Sequence, residues 1–305
     1  MDVIAFGEVL WDIFPDKKVI GGAPFNFCAH FARLGGKAGL VTAVGRDPLG
    51  NETLDRIREM GISDEFVSES SYPTGVCLVT VDSKGTPAYE LRQDMAYDHI
   101  LPTDGQWAAI RSASAPVLYF GTLAQRNAVS RKTLAEILSC RRFDHLFFDV
   151  NIRQSWFDRE IVERGLRVST ILKVSREEDW IFGNLGLTSV KEGDFRDQKD
   201  YYLALCRAIS RDYGISTILL TLDKDGGMVY DGVRDRAHFY RKPTVKAVST
   251  VGAGDSFSAC YLYHLLKGLP AEECLDKAVL LSDYVVGHIE AVPEYSDKLK
   301  ATLFD

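Results

Sequence analysis

The chain alternates short runs of β-branched and aromatic residues with longer segments in which apolar residues recur every three or four positions. Runs of the first kind are typical of buried strands, and segments of the second kind are typical of amphipathic helices. The strands that this pattern predicts are 3–6, 39–44, 117–120, 146–150, 171–174 and 217–221. The helices that it predicts are 24–34, 48–60, 130–139, 158–169, 200–213, 255–267 and 271–289. This alternation predicts a three-layer α/β protein, with a parallel sheet between two layers of helices.

Two further segments, 11–20 and 76–91, have the composition of strands but contain hairpin turns. The turns are Pro15-Asp16-Lys17 and Asp82-Ser83-Lys84-Gly85, whose residue types favour chain reversal. The hairpins either pair into a small antiparallel sheet that stands off the main sheet as a lid, or extend an edge of the main sheet. Because the chain has no internal repeat and no linker-like run, we predict one domain, 1–305, with a lid from about 11–22 and 72–100.

Composition narrows the class of protein. Hydrophobic residues make up 46% and charged residues 26% of the chain, which is enough apolar material to bury a sizeable core. The 36 Lys and Arg residues against 43 Asp and Glu residues give a formal charge of −7, without a basic run. This balance argues against a nucleic-acid or membrane-surface partner and favours small-molecule partners.

The cysteines and the N-terminus bear on the cellular compartment. The six cysteines form no Cys-x-x-Cys pair, and no His cluster joins them at zinc-ligand spacing. Residues 1–8 carry no basic segment ahead of an apolar stretch, and no apolar run approaches the ~20 residues that span a bilayer. Free thiols in the cytoplasm are therefore expected.

The segment 250–258, Thr-Val-Gly-Ala-Gly-Asp-Ser-Phe-Ser, combines a glycine-rich turn with a helix start. The free amides and the dipole of a helix start favour an anion, and a phosphoryl group in transfer is such an anion. Asp255, in the first turn, would stay ionised and could accept a proton from a hydroxyl that attacks phosphorus. Taken alone, the pattern is slightly better explained by an ordinary turn with an acidic residue at the helix start.

Other parts of the sequence favour the functional interpretation of this segment. Residues 250–255 resemble the second signature of the ribokinase-like carbohydrate kinases, Asp-Thr-x-Gly-Ala-Gly-Asp, and residues 21–29 with 34–36 resemble the first signature. Residues 44–50 continue the likeness. Two motifs far apart and in the right order are more specific than either alone. The resemblance implies a ribokinase-like fold with a small β-sheet lid and an ATP-dependent sugar kinase that uses Mg²⁺. A homodimer through the lid is a further expectation.

The resemblance assigns catalytic roles to the second motif. It implies that Asp255 is the catalytic base and that the backbone amides of Gly252, Ala253 and Gly254 form an anion hole. The residues that it implies for nucleotide binding are Ser175, Thr221, Asp223, Gly226 and Gly254. Glu178 is implied to organise Mg²⁺, usually through water.

Sugar contacts are implied near the first motif and at the end of one strand. The residues concerned are Asp12, Gly21, Gly22, Asn26 and Arg153, with Arg92 and Gln93 as candidate contacts from the lid. Alternative interpretations are a solvated turn for Asp12, a strand-end surface position for Arg153 and simple exposure for Arg92. On the first helix, Asn26, His30 and Arg33 share one face. Arg33 is interpreted as facing solvent, and His30 stays open.

Three positions depart from the family pattern. Ser175 replaces the asparagine of Asn-x-x-Glu, and Asp223 replaces the first glycine of Thr-x-Gly-x-x-Gly. Ser249 stands where the family usually has an aspartate that helps to hold a monovalent cation, so a requirement for K⁺ is left open.

Substrate choice depends on residues 89–98 and 120–126, which resemble the bacterial fructokinases. They imply transfer to the 6-hydroxyl of D-fructose. The alternatives on the same fold are 2-keto-3-deoxygluconate kinase and ribokinase. An acid sugar would need a cation at its carboxylate, such as Arg92 or Arg126. A non-catalytic sugar-binding protein is the alternative of another class, suggested by the departures at Ser175, Asp223 and Ser249.

Overall fold

The computed structural model describes residues 1–81, 87–241 and 247–304. The chain divides into two compact units, Met1–Asp144 and His145–Asp305. The predicted turn at 82–85 lies outside the described residues.

The first unit contains two sheets. Its strands are β1 (Val3–Phe6), β2 (Leu10–Ile13), β3 (Lys18–Gly21), β4 (Ala38–Gly45), β5 (Val67–Ser70), β6 (Gly75–Val81), β7 (Pro87–Leu91) and β8 (Val117–Phe120). Its helices are α1 (Ala23–Arg33), α2 (Pro48–Glu59), α3 (Asp104–Ser112) and α4 (Ala128–Cys140). Strands β8, β1, β4 and β5 lie side by side in this order and are all parallel. Strands β1, β4 and β8 are buried along their whole length, as strands of a covered parallel sheet are.

The two predicted hairpins form the second sheet, in the order β3-β2-β6-β7. This confirms a small sheet separate from the main strands. The prediction that it is antiparallel holds within each hairpin, but β2 and β6 pair in parallel. The reason lies in the connection: between β3 and β6 the chain passes through α1, β4, α2 and β5. The two hairpins therefore meet through a crossover instead of a tight turn.

The second unit contains one sheet in the order β13-β12-β11-β10-β9. Its strands are β9 (His145–Asp149), β10 (Ile171–Ser175), β11 (Thr217–Thr221), β12 (Gly227–Asp231) and β13 (Arg236–Tyr240). Its helices are α5 (Arg159–Val168), α6 (Trp180–Asn184), α7 (Gln198–Tyr213), α8 (Ala253–Leu266), α9 (Ala271–Val286) and α10 (Asp297–Phe304). Strands β9, β10 and β11 are parallel, whereas β12 and β13 are antiparallel to their neighbours. The carboxyl ends of the three parallel strands therefore lie at one edge, where open α/β sheets bind ligands.

Side-chain caps account for the starts of several helices. The Asp47 carboxylate accepts a hydrogen bond from the Gly50 amide (2.7 Å) at the start of α2, and the Asp158 carboxylate accepts from the Ile161 amide (2.8 Å) at the start of α5. Caps of this kind are worth about 1 kcal/mol each. The six cysteines, all within the described ranges, form no disulfide bond. Within the described ranges, each helix is too short or too polar to cross a bilayer.

His264 makes the stability of the second unit sensitive to acid. Its ring is buried in α8, and Nε2 has no hydrogen-bond partner among the described residues. Burial and then the positive charge of Lys277 lower the pKa of His264 to about 4. The unfolded chain binds the proton near pH 6.5, so unfolding is favoured as the pH falls from about 6.5 toward 4.

Replacing His264 by Phe is therefore expected to remove an acid-dependent loss of stability. Between pH 8 and pH 5 this histidine lowers the free energy of unfolding by about 2 kcal/mol, and His264→Phe should abolish that part. Urea unfolding at the two pH values measures it. His288→Phe is the control, because the His288 Nδ1 lies 2.7 Å from the Tyr284 carbonyl oxygen. An unchanged pH dependence in His264→Phe would contradict the assignment.

Candidate active site

The start of α8 forms a turn of backbone amides. Gly252 precedes the helix with φ 81°, a left-handed conformation that favours glycine. The Ser256 amide donates to the Gly252 carbonyl (2.9 Å), which is the first hydrogen bond of the helix. The Ala253 amide already donates to the Thr250 carbonyl (3.3 Å), whereas the described residues offer no such acceptor to the amides of Gly252 and Gly254. Of the three amides predicted for the anion hole, those of Gly252 and Gly254 are thus the better placed donors.

Asp255 is the third residue of α8 and is 8% exposed. A carboxylate in the first turn is stabilised by the partial positive charge of the helix start. The structure thus brings the predicted base onto the same helical turn as the predicted anion hole.

A buried ion pair lies beside this turn. The Lys173 Nζ atom is 3.1 Å from the Asp149 Oδ1 atom, and the two residues are 5% and 1% exposed. They face each other across the parallel strands β9 and β10. A Cβ atom added to Gly254 would lie 3.2 Å from the Lys173 Nζ atom, so the ammonium lies directly against the glycine turn.

Lys173 keeps its positive charge in this buried position. Burial lowers the pKa of Lys173, but the carboxylates of Asp149, Glu178 and Asp255 raise it by more, and the net shift is upward. The second unit therefore holds a cation and three carboxylates around the start of α8.

Glu178 is held in one position by three donors. Its Oε1 atom accepts from the Ile152 amide (2.7 Å), and its Oε2 atom accepts from the amide and from the hydroxyl of Ser175 (both 2.9 Å). Ser175, where the family has asparagine, therefore supports Glu178 directly. A carboxylate has about four acceptor positions, so a position remains for a water of a hydrated Mg²⁺ ion. The residues present fit the predicted indirect metal role.

The loop after β9 carries Arg153 and has two residues in the left-handed region, Asn151 (φ 38°) and Gln154 (φ 51°). Asn151 is buried, and Arg153 is exposed. Residues other than glycine in this region store strain, which is commonly found at ligand-binding loops. The loop is tied to Glu178 through the Ile152 amide, but the structure leaves the Arg153 side chain at the surface.

The loop after β11 explains the departure at Asp223. Asp223 adopts φ 50° and Gly226 adopts φ 91°, so the aspartate takes the left-handed conformation that a glycine would supply. Arg176 balances its charge and that of Asp225, at 3.8 Å and 2.9 Å. The Arg176 amide also donates to the Thr221 carbonyl (2.9 Å). The predicted nucleotide residues therefore lie close together, at the last positions of β10 and β11 and in the loop after β11. They are Ser175, Thr221, Asp223 and Gly226.

In the first unit, residues of the first motif gather at the start of α1. Gly22 precedes the helix with φ 107°, and the buried carboxylate of Glu8 accepts a hydrogen bond from the Ala23 amide (3.3 Å). Asp12 lies on β2 beside Gly21, where an added Cβ atom would be 3.7 Å from the Asp12 Oδ2 atom. Asn26 is buried in the first turns of α1.

The structure places the three polar residues of this helix at different depths. Asn26 and His30 are buried, and Arg33, which was interpreted as facing solvent, is half-buried with its guanidinium 3.9 Å from the Met60 sulfur. A helix that packs with most of its surface buried, as α1 does, accommodates polar side chains inside.

The candidate lid contacts are at the surface. Arg92 and Gln93 are exposed, and the Arg92 guanidinium lies 3.3 Å from a Glu90 carboxylate oxygen. The Arg126 side chain is 5% exposed and donates two 2.7 Å hydrogen bonds to the Asp98 carboxylate. Its guanidinium also donates to the Tyr97 hydroxyl (2.9 Å) and to the Arg92 carbonyl. Asp98 therefore neutralises the charge of Arg126.

Sequence reasoning missed several of these residues. They are Glu8, Asp98, Asp149 and Lys173, all of which are buried. The available signal was a charged residue inside an apolar run, as Lys173 is in Ile-Leu-Lys-Val-Ser. Burying a charge is costly unless it is paired, so such a residue is a candidate for a site.

Comparison with known proteins identifies the class. The model of the pfkB family carbohydrate kinases matches residues 5–297, so the chain belongs to this family. The resemblance seen in the sequence and the expected ribokinase-like fold are thereby confirmed.

Individual relatives differ in their substrates. The chain is 26% identical to an ATP-dependent 6-phosphofructokinase of Thermoanaerobacterium thermosaccharolyticum, over 97% of this chain and 91% of that protein. It is 27% identical to a fructokinase of Escherichia coli, over 89% of this chain and 87% of that protein. The structure of a 2-dehydro-3-deoxygluconokinase of Thermotoga maritima superimposes with a TM-score of 0.83 at 19% identity, over 99% of this chain and 98% of that one. The fold and the kinase family are shared, while the acceptor sugar varies.

Proposed function

We propose that this kinase transfers the γ-phosphoryl group of ATP to the 6-hydroxyl of D-fructose. The observation that carries the proposal is the start of α8, where Asp255 shares one helical turn with the Gly252 and Gly254 amides. A base for a hydroxyl and donors for a phosphoryl group are the two parts that such a transfer needs. The fructokinase of Escherichia coli supports the choice of sugar.

The proposed reaction is an in-line displacement. The sugar oxygen forms a bond to the γ-phosphorus, the bond from that phosphorus to the bridging oxygen of ADP breaks, and the hydroxyl proton passes to the Asp255 carboxylate. The amides of Gly252 and Gly254 stabilise the charge on the phosphoryl oxygens. Glu178 would hold Mg²⁺ through water, and the ion would supply positive charge to the phosphates. Asp12 and Asn26 would bind sugar hydroxyls, and the loops with Thr221, Asp223 and Gly226 would contact the nucleotide.

The charges near the lid favour a neutral sugar. An acid sugar or a sugar phosphate needs a cation that is not already neutralised. Arg126 is buried against Asp98, and Arg92 lies at the surface beside Glu90. Neither arginine therefore supports the 2-keto-3-deoxygluconate alternative.

The departures from the family pattern do not favour a silent sugar-binding protein. The Ser175 hydroxyl supports Glu178, and Asp223 keeps the backbone conformation of a glycine. A binding protein would need no base at Asp255. These features support the enzymatic alternative.

A substrate panel tests the proposal. Release of ADP is measured with purified protein, ATP and Mg²⁺ across D-fructose, fructose 6-phosphate, 2-keto-3-deoxygluconate, D-ribose and adenosine. We expect kcat/KM for D-fructose to exceed that of every other acceptor by at least about tenfold, because a site built to hydrogen-bond one set of hydroxyls rejects an analogue that leaves its polar groups unpaired. Preference for another sugar would replace fructose but keep the kinase. Sugar binding without ADP release would favour the silent protein.

A further inference from the structure

Lys173 is a charged group whose position serves no evident structural purpose. Its ammonium can donate three hydrogen bonds, yet within the described residues the structure gives it one, to the Asp149 carboxylate. The side chain is only 6% exposed, so solvent does not readily supply the other two partners. Replacing a buried ion pair with apolar residues is often neutral or stabilising. Stability alone therefore does not explain the Asp149–Lys173 pair.

The ammonium, whose charge is stabilised by the neighbouring carboxylates, also lies at the start of a helix. It lies against Gly254, the second residue of α8, where a Cβ atom would be 3.2 Å from the Nζ atom. The start of a helix carries a partial positive charge that repels a lysine. An anion that binds between the ammonium and the helix amides would offset this repulsion.

We propose that the Lys173 ammonium binds the phosphoryl group during transfer, together with the Gly252 and Gly254 amides, and that Asp149 positions it. The proposal rests on the proposed function and adds a catalytic residue to it. Charge in the transition state is spread over the three equatorial oxygens of the phosphoryl group. The two N–H groups of Lys173 that do not bond to Asp149 can donate to these oxygens. The hydrogen bond that the ammonium donates to the Asp149 carboxylate fixes its position.

The proposal also explains the glycine at position 254, which leaves space for the Lys173 ammonium. A Cβ atom at position 254 would lie 3.2 Å from Nζ, so the ammonium would have to shift by a few tenths of an ångström. The absence of a side chain at Gly254 thus leaves room both for a ligand at the backbone amides and for the Lys173 ammonium.

The first test is Lys173→Met, which keeps the length of the side chain and removes the charge. Loss of one stabilising donor from an oxyanion site typically lowers kcat by 10²–10³-fold, and we expect a loss of that size. KM for D-fructose should change less than about threefold, because the proposal assigns Lys173 to the phosphoryl group and not to the sugar. Lys267→Met is the matched control. It removes the same charge from an exposed lysine at the opposite end of α8 and should leave kcat unchanged.

A double variant separates catalysis from folding. Lys173→Met alone leaves the Asp149 carboxylate buried without its cation, which destabilises the protein. Asp149→Leu combined with Lys173→Met removes both charges, so its melting temperature should return toward that of the wild type while kcat stays at least 10²-fold lower. Recovery of both kcat and melting temperature in the double variant would show a structural pair and overturn the proposal.

A binding measurement is independent of the sugar. Titration of ATP with Mg²⁺ by calorimetry should show an affinity at least about tenfold weaker in the double variant than in the wild type, since a charge-assisted contact to phosphate is lost. Equal affinities together with equal turnover would refute the role of Lys173. A wild-type protein that binds ATP but phosphorylates no acceptor would refute the proposed function and leave the binding comparison to decide on Lys173.

Discussion

Replacing Asp255 by Asn is expected to lower kcat by about 10²–10⁴-fold, the usual contribution of a positioned general base. Asparagine has the same shape but cannot accept the proton of the attacking hydroxyl. KM for the sugar should change little, because the amide still accepts and donates hydrogen bonds at that position. Turnover of ATP with saturating D-fructose measures the effect, and calorimetric titration of the sugar measures binding separately.

The matched control for this variant is Asp200→Asn. Asp200 is also the third residue of its helix, α7, and is exposed. Both variants remove one negative charge from the first turn of a helix, which costs about 0.3–1 kcal/mol of stability. Only Asp255→Asn should lose activity. If kcat of Asp255→Asn stayed within threefold of the wild-type value, another group would be the base.

The larger features of the fold follow from the hydrophobic pattern. Strands β1, β8 and β11 have the predicted bounds, and the other predicted strands and helices differ by a few residues at their ends. These strands are buried on both faces, so their apolar runs are continuous and stand out from the helices. The two hairpins were also predictable, because their turns carry residues that reverse the chain, but the sequence left open whether they form a separate sheet or extend the main one.

Three of the missed elements lack such a signal. Strand β5, Val-Ser-Glu-Ser, has three polar residues among its four, and helix α6 has only five residues. Strand β13 is half-buried along most of its length and shows no alternation of buried and exposed positions. Their existence depends on neighbouring strands that offer hydrogen bonds or on packing, which a single segment does not reveal.

The residues of the candidate site were likewise predictable only in part. Motif residues such as Asp255 and Glu178 could be predicted from spacing and resemblance, but their partners could not. The contact between Asp149 and Lys173 requires the register of β9 against β10, and a shift of one residue would place the two side chains on opposite faces. The left-handed backbone of Asp223 is likewise invisible in the sequence, which shows only that a glycine has been replaced.

The second large effect is expected for Gly252→Ala, which should impair both folding and phosphoryl transfer. Alanine at φ 81° costs about 1–2 kcal/mol, and its Cβ atom would overlap the backbone oxygen of Ala291. Because a backbone atom cannot swing aside as a side chain can, the turn must move, at a further cost of about 1–3 kcal/mol. Displacing the amides should lower kcat by about 10²-fold.

Gly214→Ala separates the cost of the left-handed backbone from the cost of the contact with Ala291. Gly214 ends α7 at φ 74°, and an added Cβ atom would meet nothing within 4 Å. It should therefore show only the cost of the left-handed backbone, about 1–2 kcal/mol in urea unfolding, with kcat unchanged. The excess destabilisation in Gly252→Ala then measures the contact with Ala291. Equal losses of stability in the two variants, together with an unchanged kcat in Gly252→Ala, would contradict this prediction. They would show that the contact with Ala291 does not position the amides for phosphoryl transfer.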